Sequence, residues 1–170
     1  MDELIDQTKS ILNNKSFEVK NFTKQIAFNA IPHIDSFSDD GYTKEELKMI
    51  KETNKILGTK IDITATCVRI PVLVSHAESV NIEFENDFSI KKVKELLNTA
   101  EGCKVVDENS DGGYITPVDA EGKNETFISR IREDNSKNNS LNLWIVSDNL
   151  LRGAALNAVE IAETYFRMGK

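Results

Sequence analysis

The sequence predicts an α+β fold: a mostly antiparallel or mixed β-sheet with helices packed on one face. Three observations predict it. Helix-period and strand-period segments do not follow the strict βαβ alternation of a doubly wound sheet. Val80, Ile82 and Phe84 alternate with Asn81, Glu83 and Glu85, the pattern of a half-buried antiparallel strand. Neither G-x-G-x-x-G nor G-x-x-x-x-G-K-[ST] occurs, so the chain has no recognisable nucleotide-phosphate loop of its own.

The elements follow in order. Residues 1–13 read as a helix with Leu4, Ile5, Ile11 and Leu12 at helical spacing. After a polar connector, residues 26–35 (IAFNAIPHID) read as a strand and the next seven as a loop. Thr43 then opens a helix, with Glu46 completing a capping box, Leu47, Ile50 and Leu57 as the apolar stripe, and Gly58 placed to end it. Residues 61–70 (IDITATCVRI) alternate like a strand, and Arg69 interrupts the face that Ile61, Ile63, Ala65 and Cys67 share. Ser89 caps a helix carrying Ile90, Val93, Leu96 and Leu97, and a short strand follows at 103–106. Residues 107–125 read as a long loop, of a length usually found at functional sites or interfaces. Two strands, TFISRIRED and LNLWIVS, precede a closing helix over 150–167.

Composition narrows the function classes. The 170 residues are expected to form a single domain, 1–170, or one large piece of a two-domain enzyme. A net charge of −7 with dispersed basic residues argues against nucleic acid as a partner. No window approaches the ~18 apolar residues of a membrane span, and the acidic N-terminus is unlike a signal peptide. With two cysteines and no secretory signal, a reducing cytoplasm is expected.

Arg69 and His76 stand out in the apolar run 64–85, where a charge is costly to bury unless paired or bound to something. Histidine suits proton transfer near neutral pH, and the arginine fork suits a carboxylate. The competing readings are a structural histidine and a sheet-edge salt bridge. The two lie seven residues apart, so on one flat strand they would face opposite ways, and a shared site requires a break near Pro71. His33 reads as structural. Glu45 and Lys48 share a helix face, which by itself reads as a solvated ion pair. Cys67 sits mid-strand among apolar residues and reads as a small buried hydrophobe, and Cys103 is a still weaker nucleophile. No set of Cys, His or carboxylates has metal-site spacing, so no metal is expected.

The blocks YTKEELKMIKETNKILG, TATCVRIPVLVSHAESVNIEFE and LNLWIVSDNLLRGAALNAVEIAE, with AFNAIPHIDSF and FISRIRED between them, resemble the C-terminal half of bacterial aspartate-semialdehyde dehydrogenase. The likeness covers nearly all of the chain, and several blocks in series make it specific. It implies the C-terminal-domain fold of the aspartate-semialdehyde and glyceraldehyde-phosphate dehydrogenases. The family makes L-aspartate 4-semialdehyde from L-4-aspartyl phosphate with NADPH, on the route to diaminopimelate, lysine, methionine and threonine. By resemblance His76 is the acid/base histidine, Arg69 the clamp on the substrate carboxylate, and Glu45 the partner of its amino group. Lys48 matches the phosphate-binding lysine, and Asn149 the polar residue near the nicotinamide.

The resemblance also implies what precedes these blocks in the family: a glycine-rich NADP-binding half and the nucleophilic cysteine, which Cys67 does not match. The chain is therefore expected to be the substrate-binding and homodimerisation half, inert alone, with a tetramer as the next larger assembly. A stand-alone interaction or regulatory domain descended from the enzyme is the alternative of a different class. A Cys67/His76 hydrolase and the related N-acetylglutamyl phosphate reductase are weaker readings.

Overall fold

The computed structural model describes residues 1–169, which form two compact units, one ending at Leu73 and one beginning at Val74.

The first unit opens with helix α1 (Asp2–Leu12), whose first turn carries Asp2 and Glu3, charges that favour a helix N-terminus. Leu4 packs on Ile26, Ala27 and Ile31, with Ile11 and Phe22 at the margin. Gln7 is as buried as this core. Its Oε1 accepts the backbone N–H groups of Ile26 (2.9 Å) and Ala27 (3.2 Å), and its Nε2 donates to Glu3. This corrects the strand expected at 26–35. The segment's first two amides are met by a helix side chain, Pro32 has no N–H to offer, and Phe28 and Asp35 are left-handed at φ 58° and 69°. What survives of the strand is a single antiparallel bridge, Ile31 to Arg69.

Helix α2 (Lys44–Leu57) starts and stops where the sequence predicts. Thr43 and Glu46 form the reciprocal capping box, and Gly58 ends the helix in the left-handed conformation at φ 64°. The strand expected at 61–70 is likewise corrected. Its two-residue alternation is real, since Ile63, Ala65 and Cys67 are half-buried while Thr64, Thr66 and Val68 are exposed. In place of a ladder, α2 side chains take backbone groups at two points along it. Asn54 bonds the N–H and C=O of Ile61, and Glu46 accepts the Cys67 N–H at 2.9 Å.

The second unit is built on a four-stranded mixed sheet. In chain order its elements are β1 (His76–Glu83), α3 (Ile90–Thr99), β2 (Cys103–Val105), α4 (Pro117–Ala120), β3 (Thr126–Glu133), β4 (Ser140–Ser147) and α5 (Leu156–Arg167). The strand order is β1-β4-β3-β2, with β1/β4 and β4/β3 antiparallel and β3/β2 parallel. Helix α3, capped by Ser89 as expected, lays Ile90, Val93 and Leu97 on one face over Ile128, Ile131, Leu141 and Leu143, with Val80 and Ile82 of β1.

The opposite face carries Phe127, Val146 and Trp144, covered by Val106, Ile115 and Ala120. The long stretch 107–125 thus includes a short helix and clothes the sheet. Trp144 Nε1–H donates to the Ile115 carbonyl (3.0 Å), and the Ile115 N–H donates to Ser129 Oγ (3.1 Å). The closing helix begins differently from expectation, with a π-helical turn at Leu151–Ala155. Arg152 of that turn donates from Nε to the Asn124 carbonyl at 2.8 Å and pairs with Glu160. Its guanidinium lies over Gly102, where a Cβ would meet Nη2 at 2.7 Å. Among the described residues, no helix is long and apolar enough to cross a membrane.

Candidate active-site residues

Glu45, Lys48 and Arg69 belong to the first unit, and His76 and Asn149 to the second. Glu45 and Lys48 stand on the first turns of α2, and Lys48 Nζ lies 3.3 Å from Glu45 Oε1. The capping box fixes the helix start from which both project. Its carboxylate, Glu46, also pins the extended segment two residues before Arg69. The N–H groups of Thr43 and then Cys67 hold the Glu46 carboxyl below the usual carboxylate range.

Arg69 exchanges two 2.9 Å backbone hydrogen bonds with Ile31, and its guanidinium lies 5.8 Å from the Phe22 ring centroid. The backbone is therefore fixed while the exposed fork can still meet a ligand. The structure brings Glu45 and Lys48 into direct contact, and ties Arg69 to them through Glu46 and the short extended segment.

Between Arg69 and His76 the backbone is not one flat strand. It bends after Ile70, and Ser75 adopts the left-handed conformation at φ 64°. β1 begins at His76, whose register partner on β4 is Ser147. Asn149 lies two residues beyond Ser147, so both candidates sit at one end of the β1/β4 ladder. Between them Asp148, buried, accepts the N–H groups of Gly122, Leu150 and Leu151. Those bonds, Gly122's foremost, hold its carboxyl below the ordinary range. They anchor the turn that presents Asn149, whose exposed carboxamide has no hydrogen-bond partner among the described residues.

His76 Nδ1 lies 3.3 Å from Glu78 Oε1. Sequence reasoning passed over Glu78, although its position two residues along the strand puts it on the same face. It also passed over the second role of Glu46. Of the other candidates, His33 stacks on Phe37 at 4.4 Å between ring centroids, and its buried Nε2 has no hydrogen-bond partner among the described residues. Cys67 is half-buried, and Cys103 packs at the edge of the α3-facing core. No group of three or more His, Cys, Asp or Glu among the described residues is arranged to hold a metal ion.

The second unit is a mixed α+β domain built on one four-stranded sheet, and the first unit carries an exposed arginine and a glutamate–lysine pair. The chain belongs to the semialdehyde dehydrogenase dimerisation-domain family, whose model matches residues 1–152. It is 51% identical over 163 residues to the aspartate-semialdehyde dehydrogenase of Rickettsia typhi, covering 96% of this chain and 48% of the relative. Its fold is similar to aspartate semialdehyde dehydrogenase II from Vibrio cholerae, complexed with ASA, at TM-score 0.93 and 43% identity, covering 98% of this chain and 49% of that one. The Candida albicans enzyme with NADP is more distant, at TM-score 0.66 and 25% identity, covering 82% of this chain and 45% of that one. The chain spans about half the length of the curated relatives it matches.

Proposed function

We propose that this chain is the substrate-binding and homodimerising half of a cytoplasmic aspartate-semialdehyde dehydrogenase, which reductively dephosphorylates L-4-aspartyl phosphate. The observation that carries the reading is the set of side chains in the first unit. A backbone-pinned Arg69 and the Glu45–Lys48 pair on a capped helix offer a carboxylate clamp, an ammonium partner and a phosphate cation. In this reading Arg69 holds the substrate carboxylate by two parallel hydrogen bonds. Glu45 faces the amino group and Lys48 the phosphate.

The nucleophile is a cysteine thiolate of the NADP-binding half. It attacks the acyl carbon, the C–O bond to phosphate breaks, and a thioester and inorganic phosphate result. NADPH, when bound, supplies the hydride that reduces the thioester to the aldehyde. His76 takes the thiol proton before attack and returns it as the C–S bond breaks, a role worth ~10²–10⁴-fold in rate. The exposed Asn149 carboxamide fits a nicotinamide amide, donor to acceptor and acceptor to donor. The cofactor phosphates have no glycine-rich cradle among the described residues, which supports placing most of that site in the other half.

The isolated chain is expected to be inert. The test is aspartate-semialdehyde- and phosphate-dependent NADP reduction, measured for this chain alone and joined to an NADP-binding half of the family. Turnover only in the joined protein, falling ~10²–10⁴-fold in its His76→Gln variant, supports the reading. Turnover by the chain alone overturns the division of labour. A joined protein that folds, binds NADP and stays inactive favours a stand-alone regulatory domain.

A further inference from the structure

We infer that Glu78 is a positioning residue for His76: its carboxylate accepts the Nδ1–H of the neutral imidazole and so leaves Nε2 unprotonated, as the nitrogen that takes up and returns the proton. His76 Nδ1 and Glu78 Oε1 are 3.3 Å apart, slightly beyond the ~2.7–3.2 Å of a well-formed bond. Such contacts are commonly loose before substrate binds.

The strand pattern makes the placement notable. His76, Glu78, Val80 and Ile82 share one face of β1. Val80 and Ile82 are packed into the α3-facing core, and Ile145, the register partner of Glu78, joins the same core. An apolar residue would continue that stripe at position 78. A carboxylate stands there instead, its side chain 39% exposed, with His76 Nδ1 as its partner. At the other side of His76 the chain is equally constrained. Ser75 is left-handed, and its buried Oγ has no hydrogen-bond partner among the described residues. The ring of a histidine with one nitrogen engaged has its tautomer set by that engagement.

The catalytic consequence rests on the acid/base reading of His76, whereas the tautomer does not, so the two fail separately. The chain has only two histidines, so ¹⁵N-imidazole NMR of the intact chain, at a pH where the rings are neutral, resolves both. The His76→Gln variant assigns the signals. The expected result is a His76 ring protonated on Nδ1. It reverts in Glu78→Ala to the Nε2–H form that free imidazole side chains favour, and is retained in Glu78→Gln, whose amide oxygen still accepts.

An Nε2–H ring in the unmodified chain overturns the inference with no variant needed, and so does an Nδ1–H ring that survives Glu78→Ala. In the joined enzyme, Glu78→Ala should lower kcat and leave KM for the acyl phosphate unchanged. If instead His76→Gln leaves turnover intact while the tautomer result stands, the acid/base reading fails and the positioning contact remains.

Discussion

The Cys67 backbone N–H and Glu46 Oε1 are joined at 2.9 Å, while Glu46 Oε2 accepts the Thr43 N–H at 2.8 Å. One carboxylate therefore serves as helix cap and as tether for the segment leading to Arg69. Its folded-state pKa lies below its ordinary value, so its stabilisation is present above the unfolded carboxylate pKa. That contribution is lost as pH falls through the depressed folded value. Urea midpoints of the parent should exceed those of Glu46→Gln at neutral pH, and the gap should close on acidification below the carboxylate range. A gap independent of pH would refute the ionic part of this account.

Thr43 supplies the other half of the same device, its Oγ1 accepting the Glu46 N–H at 3.3 Å. Thr43→Ala is expected to cost about 1 kcal/mol of stability, read from chemical denaturation.

For Arg69, the main-chain bonds to Ile31 persist whatever the side chain. Arg69→Lys keeps the charge and loses the fork. In the joined enzyme KM for the acyl phosphate should rise by roughly 10- to 100-fold, the loss of about 1.5–3 kcal/mol of charged hydrogen bonding. Circular dichroism should be unchanged. An unaltered KM would place the substrate carboxylate elsewhere.

In the sheet unit, Leu141 is fully enclosed beneath α3. Leu141→Ala should destabilise by ~2–5 kcal/mol, the transfer and cavity costs together.

Gly102→Ala meets two obstacles, a φ of +75° and the Arg152 guanidinium 2.7 Å from the new methyl. The expected cost is ~1–3 kcal/mol. Because Asn124 and Glu160 hold Arg152 in place, Arg152→Ala in the same background should recover the steric part and leave the conformational part.

What was legible in the sequence was local. Thr43, Glu46 and Gly58 specify their helix through contacts three or four residues long, and the structure places the cap and stop where the pattern predicts. The alternation at 80–82 likewise marked β1. The segments 26–35 and 61–70 look like strands one residue at a time. A strand is a relationship with a neighbour, however, and here Gln7 and Glu46, from far along the chain, and Asn54, from the helix just before, take the neighbour's place. No periodicity encodes that substitution. The candidate residues divide the same way. Glu45 and Lys48 could be paired from helical spacing, and His76 with Glu78 from strand spacing. The proximity of Asn149 to the His76 end of the ladder depends on β4 registering with β1, which only the sheet reveals.

Trp144, the chain's only tryptophan, lies between the sheet and the stretch that covers it, its indole N–H held by the Ile115 carbonyl. The molecule thus carries its own optical gauge. If the cover lifts while the strands stay paired, the indole gains water, and its emission shifts to the red before the far-ultraviolet signal of the sheet changes. A difference between those two melting curves would measure how firmly residues 107–125 are fastened, with no label attached.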